Sequence, residues 1–202
     1  MQPYLELLSA NPQVPLIALV MLVVFVASAV GIRRKRALLR RIAYILPGRV
    51  EGWLPPRFVG ELEGLPFKVT PLPGGKNSPP SLQVEVLTAP SFELTVTRQG
   101  ALNSLGARLG LLKDLETPDP DFNRHFLLSG DGSGLAAQFL AEERRRLEIR
   151  ELFGAGYVRL VIGPKGVSAL KSPANDYDDL DPATAADRVK RLAALAKAAR
   201  MY

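Results

Sequence analysis

The chain has 202 residues, 47% hydrophobic and 23% charged, which leaves room for one membrane anchor and one compact domain and excludes both a wholly disordered chain and two full catalytic domains. It contains no cysteine, so disulfides, thiolate metal sites, cysteine nucleophiles and iron–sulfur ligation are excluded together. The formal charge of +6 is no nucleic-acid signature: seven of the 26 basic residues and one of the 20 acidic ones lie at or before Arg49, which leaves 19 of each in a neutral remainder.

The first element is a membrane span. No charged residue occurs from Leu7 to Ile32, and the run Pro15 to Ile32 covers ~27 Å at 1.5 Å per residue, enough to cross a bilayer core. Its Leu, Ile, Val and Phe residues favour insertion by roughly 3 to 7 kcal/mol in sum. Ala27-Ser28-Ala29 has the small residues of a signal-peptide cleavage site, yet Met1 to Pro15 lacks the Lys or Arg that a signal peptide carries before its apolar run. Six cations instead follow Ile32: Arg33, Arg34, Lys35, Arg36, Arg40 and Arg41. By the positive-inside rule they predict an outward N-terminus and a cytoplasmic C-terminal domain on a single-pass protein. Leucines and isoleucines alternate with these arginines, so the helix is expected to continue as an amphipathic interfacial segment whose cations meet lipid headgroups.

Pro47-Gly48 is expected to end that segment. The organisation is then a short extracytoplasmic N-terminus (1–14), a transmembrane helix (15–32), a basic juxtamembrane helix (33–49), a soluble domain (50–180) and a C-terminal helix (181–202). Beyond the Pro-rich link Leu54-Pro55-Pro56, the stretches RFVGELEG, LPFKVTPL, SLQVEVLTA and SFELTVTR alternate apolar and polar residues as half-buried antiparallel strands do. Val84 and Val86 face one way, Gln83 and Glu85 the other. Pro71 to Ser81 reads as a hairpin loop. Ala101 to Asp131 fits neither period cleanly, but holds a short turn or helix near Asp119 to Asn123 and a strand HFLLS.

Leu135 to Phe153 reads as the main helix, with Leu135, Phe139, Leu147 and Ile149 inward, Glu142 and Arg146 as a surface i, i+4 pair, and Arg144-Arg145-Arg146 on a solvated face. YVRLVIGPKGVSALK is a hairpin turning at Gly163 to Gly166. Asp176, Asp178, Asp179 and Asp181 form a solvated acidic linker, and a final helix starts at Asp181-Pro182 with a thin apolar stripe: Val189, Leu192, Leu195, Ala196 and Ala199. Strands outnumber helices and no βαβ alternation occurs, so the fold class is α+β, a mainly antiparallel sheet packed against helices.

Lys113 to Asp131, KDLETPDPDFNRHFLLSGD, resembles a recurring element of uncharacterised bacterial single-pass membrane proteins in which a Thr-Gly-Asp turn leads to Phe-Asp and a second Phe. Thr117, Asp119, Phe122 and Phe126 carry the match; Pro118 replaces its glycine and Asn123 its aspartate. The resemblance implies a bacterial inner-membrane setting and no known activity. Physically, Thr117 to Pro120 forms a rigid turn that Phe122 and Phe126 anchor to the core. The competing reading makes Asp119 and Asp121 metal ligands, but no third ligand is evident nearby.

His125 is the only histidine, which excludes a His-rich metal site, and no nucleophile elbow accompanies it. Ser129 to Gln138 has the glycines of a phosphate loop without its spacing, and reads as a turn with Ser133 as N-cap. No cofactor is expected. The leading expectation is a non-enzymatic anchored domain that binds a protein partner or a second copy of itself. An anionic-lipid or small-ligand module is the alternative, and an enzyme using Asp119, Asp121 and His125 the third.

Overall fold

In the computed structural model, which describes residues 13–99 and 115–202, the N-terminal apolar run is one uninterrupted helix, α1 (Gln13–Ile42). Pro15 falls in its first turn, where a missing N–H costs nothing. From Leu16 onward it is long and apolar enough to cross a membrane, with a mean hydropathy of 2.5 over its most apolar stretch, none of it buried. Most of the expected extracytoplasmic segment 1–14 lies outside the described residues, as do residues 101–114 of the stretch that fitted neither period.

The juxtamembrane part behaves differently from the expectation. The helix stops at Ile42, short of Pro47, and Ala43, Tyr44, Ile45 and Leu46 fold back onto the carbonyls of Arg40, Arg41 and Ile42. Gly48–Glu51 is then a strand, β1, too short to announce itself by alternation. Nor does the apolar side of this segment face lipid: Leu38, Leu39, Ile42 and Leu46 are core residues of the domain, the last three at most 2% exposed. Burying those three stabilises the arrangement by roughly 5 to 9 kcal/mol, an upper bound at 1.5 to 3 kcal/mol each.

The domain is α+β. Among the described residues, β1, β2 (Arg57–Leu62), β3 (Leu65–Leu72), β4 (Ser81–Val86), β5 (Leu94–Arg98), β6 (Phe126–Gly130), β7 (Tyr157–Gly163) and β8 (Gly166–Lys171) form one sheet in the order β1-β2-β3-β4-β8-β7-β5-β6. Every neighbouring pair is antiparallel. The β7–β8 hairpin turns on two residues, Pro164 and Lys165, with Gly163 opposite Gly166. Gly166 has φ +129°, and a Cβ there would lie 2.2 Å from the Val86 carbonyl oxygen.

Alternation decides the two faces. Phe58, Phe67, Val69, Val84, Val86, Val96, Leu160, Ile162 and Val167 point inward and are buried, while the residues between them stay partly exposed. The inward face is covered by α1 and by α2 (Pro120–His125), α3 (Leu135–Ala141), α4 (Glu143–Gly154), α5 (Asp176–Asp179) and α6 (Pro182–Ala199). Asp181 caps α6 as expected, accepting from the backbone N–H of Ala183 and Thr184. Its apolar side is no thin stripe: Val189, Leu192, Leu195, Ala196 and Ala199 are all fully buried, joined by Ala185, Ala186, Ala193 and Ala198. The small alanines let α6 lie close against the sheet, so it forms the centre of the core.

The expected main helix is two helices, broken at Glu142, whose backbone is extended (φ −71°, ψ 122°). The break changes which side chains face in. Phe139 and Ile149 are buried as expected, but Leu147 is 47% exposed, and Arg145 and Arg146, read as surface residues, are each 9% exposed.

Because the end of α1 is core, Ile42→Ala should destabilise the domain by about 2 to 5 kcal/mol, the cost of a buried cavity. Denaturant unfolding of the full-length protein in micelles, followed by far-UV circular dichroism, checks this; an interfacial helix would lose almost nothing.

Candidate functional site

Three arrangements bear on function: the cationic collar of α1, the turn around Asp119, and the sheet face that no helix among the described residues covers.

The collar divides into two sets. Lys35 pairs with Asp176 on α5 (3.3 Å), the Arg34 guanidinium stacks 4.4 Å from the Tyr177 ring centre, and Arg36 donates to the Gly52 carbonyl (3.3 Å) in the β1–β2 connection. These three cations tie the helix to the domain. Arg33, Arg40 and Arg41 remain exposed. The helical period explains the division, since Leu38, Leu39 and Ile42 turn one side of α1 into the core and leave Arg40 and Arg41 on the other. The acidic run that looked like a solvated linker is the counterpart: Asp176 receives Lys35, and Asp179, 5% exposed, accepts from Lys171 Nζ (2.5 Å) and from the Asn175 backbone N–H (2.8 Å).

Asp119, Asp121 and His125 lie on one short helix but do not converge on a reacting centre. Asp119 is the N-cap of α2: its Oδ1 accepts from the Phe122 backbone N–H (3.0 Å) and its Oδ2 from Arg150 (2.8 Å), with Arg146 3.5 Å away. The Phe122 N–H and then the Arg150 guanidinium outweigh partial burial and hold its carboxyl below the usual aspartate range. Both oxygens are therefore committed to the fold. Asp121 is exposed and pairs with Arg124 at 3.3 Å, while the His125 Nδ1–H donates to the Asp121 carbonyl (2.7 Å).

The residues beside them complete a staple. Thr117 donates from its N–H and its hydroxyl to Asn123 Oδ1, and Asn123 Nδ2 returns a bond to the Thr117 carbonyl (2.9 Å), a ring that needs an amide at 123 because a carboxylate has no donor. Phe122 and Phe126 anchor the segment as expected, with ring centres 4.6 Å apart and both buried. Arg146 does not pair with Glu142; it donates to the Leu140 and Ala141 carbonyls (2.6 and 2.7 Å), closing the end of α3 where the chain breaks, and Glu142 pairs with Arg145. Ser133 likewise sits one residue before the N-cap of α3, which is Gly134 at φ +83°.

A cationic hollow of about 440 Å³ lies beside this staple, lined by Arg98, His125 and Arg150 among others. Its guanidinium groups are already engaged, Arg98 with the Phe153 carbonyl (3.2 Å) and Arg150 with Asp119.

The open sheet face has a different character. One row crosses all eight strands in register, Arg49, Val59, Lys68, Glu85, Ser168, Val161, Thr95 and Ser129, and a second runs Thr70, Gln83, Leu170, Arg159, Thr97 and Leu127. All but Ser129 keep some exposure. Three shallow hollows of about 390, 630 and 270 Å³ share this face: the first meets the second at Leu87 and the third at Val161 and Ser168, so together they make one groove lined by apolar and charged side chains. Sequence reading placed Gln83 and Glu85 on this side but could not assemble the rows, which depend on the crossover that sets β8 beside β4.

No family model, curated protein or solved structure matches this chain.

Asp119→Ala should lower stability by about 1 to 2 kcal/mol through loss of the cap alone. Because the folded-state pKa of Asp119 is depressed, its contribution is complete above the ordinary aspartate pKa and disappears as pH falls through the lower folded value. Unfolding curves of the full-length protein and the variant across acid pH should therefore converge at the acid end.

Proposed function

We propose that this chain is a single-pass protein of the bacterial inner membrane, N-terminus outside, whose cytoplasmic α+β domain binds a protein partner on its open sheet face. The groove across that face carries the reading. Most antiparallel sheets with one solvated face show a polar outer surface, whereas here Val59, Leu72, Leu87, Val161 and Leu170 line connected hollows together with Lys68, Glu85, Glu93 and Lys165. Exposed apolar side chains interspersed with charges of both signs suit a protein surface as the ligand. The anchor supports the reading from the other side, because a domain clamped to its spanning helix holds a bound partner at a fixed place on the membrane.

Anionic lipid is the second ligand this reading admits. Arg33, Arg40 and Arg41 are exposed beyond the apolar run, where each basic residue near an anionic surface contributes about 1 kcal/mol.

The absence of cysteine makes orientation directly testable. Gln2→Cys should react with a membrane-impermeant maleimide in intact cells and Lys190→Cys only after lysis; the reverse pattern would place the domain outside. For the partner, a photo-crosslinking residue at Ser168 should give a discrete adduct in native membranes that Val161→Asp abolishes. Equal adducts from a probe at Arg144, on the helical side, would remove the sheet face as the binding surface, and an adduct of twice the chain's mass would make the partner a second copy.

A further inference from the structure

The β1–β2 connection, Gly52 to Pro56, carries the chain's only tryptophan, Trp53, beside Leu54, and the two are 71% and 70% exposed. Two large apolar side chains at a hairpin tip contribute nothing to the core and cost solubility in water, so their surroundings matter.

Their position is fixed by α1. After Ile42 the chain turns, and β1 brings it back along the helix until the Gly52 carbonyl accepts from Arg36. The hairpin tip is therefore at the level of Arg36, four residues past the end of the apolar run. At 1.5 Å per residue that is ~6 Å beyond Ile32. The headgroup layer of a leaflet is about 5 to 7 Å deep, so a carbonyl at this level lies within it or at its outer edge. The Arg36 side chain narrows the distance further, since helical side chains lean toward the N-terminus, here toward the bilayer.

Two further observations place the domain surface at the same level. Ile32 is partly buried, whereas Leu16 to Val30 present large apolar side chains that are 51 to 72% exposed, so the domain's cover begins where the apolar run ends. Tyr177, 53% exposed on α5, holds its ring against Arg34, two residues past Ile32. Tryptophan and tyrosine favour this depth because their rings are apolar and their N–H or O–H needs a polar neighbour. Of the acids nearby, Glu51, next to the loop, pairs with Arg49 and Arg57, and Asp176 beside Tyr177 pairs with Lys35, while Asp178 on its other side is exposed and accepts from the Asn175 amide (2.7 Å).

We infer that Trp53 and Leu54 on the β1–β2 connection, with Tyr177 on α5, form a second contact with the bilayer that α1 crosses, lodging in its headgroup layer on either side of the helix and fixing the tilt of the domain. This rests on α1 spanning the membrane and is independent of the partner on the sheet face. The ligand is the lipid surface itself, through its interfacial depth more than a particular headgroup.

The lone tryptophan reports on its own position. Full-length protein is placed in nanodiscs of phosphatidylcholine and phosphatidylglycerol whose acyl chains are brominated close to the headgroup, and its emission is compared with that in unbrominated discs. Trp53 should lose most of its emission to the bromines and resist quenching by aqueous iodide. A Phe25→Trp variant in a Trp53→Phe background, read with chains brominated near their ends, tests the span separately. Quenching of the Phe25→Trp variant with none of Trp53 in the unaltered chain would overturn the second contact while leaving the anchor intact; quenching of neither would overturn both.

Discussion

The packing of Leu38, Leu39, Ile42 and Leu46 into the domain core sets the terms for everything else in this molecule. A single-pass protein usually meets its domain through a linker, which leaves the two free to reorient. Here the helix that leaves the apolar run is still the same helix when it enters the core, and only a few residues separate Ile32 from Leu38. Position and orientation of the domain are thereby coupled to those of the helix. The three cations that clamp it, Arg34, Lys35 and Arg36, make specific contacts with α5 and the β1–β2 connection, so the rotation of α1 about its axis is set relative to the domain.

Such coupling constrains what the domain can present. With α1 to α6 on one side of the sheet, the eight-strand row from Arg49 to Ser129 lies on the face that no helix among the described residues covers. Its orientation relative to the helix follows from the same packing that buries Ile42. A mutation that loosened the helix end would leave the groove intact but its placement undefined, which distinguishes a positioning role from a binding role.

The polar residues show how far local chemistry can mislead when the chain folds back on itself. Arg144-Arg145-Arg146 beside four glutamates has the composition of a solvated helix face, and a continuous helix would have made it one. The break at Glu142 swings Arg146 inward, onto the Leu140 and Ala141 carbonyls and toward Asp119 across 27 residues of chain. The acidic run before α6 is the same case: Asp179 is buried because Lys171, at the end of β8, reaches it. In both places local composition points to solvent and the fold turns the side chain inward.

Local pattern alone determined much of this protein. The apolar helix is legible from Pro15 to Ile32, seven of the eight strands from the alternation of residues such as Val84 and Val86, the β7–β8 hairpin from Gly163 to Gly166, and the start of α6 from Asp181-Pro182, because each is fixed by interactions within a few residues. Tertiary structure decided what depends on distant chain: that α1 ends in a core instead of on a surface, that α6 is central instead of peripheral, that Asp119 serves as a cap and ion-pair partner, and that β4 meets β8 to build the open face. An amphipathic segment specifies that one side is covered and says nothing of what covers it, whether lipid, partner or its own sheet. For residues 33–46 the answer is β1 and β2, which follow at once, together with α6, which lies far along the chain from the segment it covers.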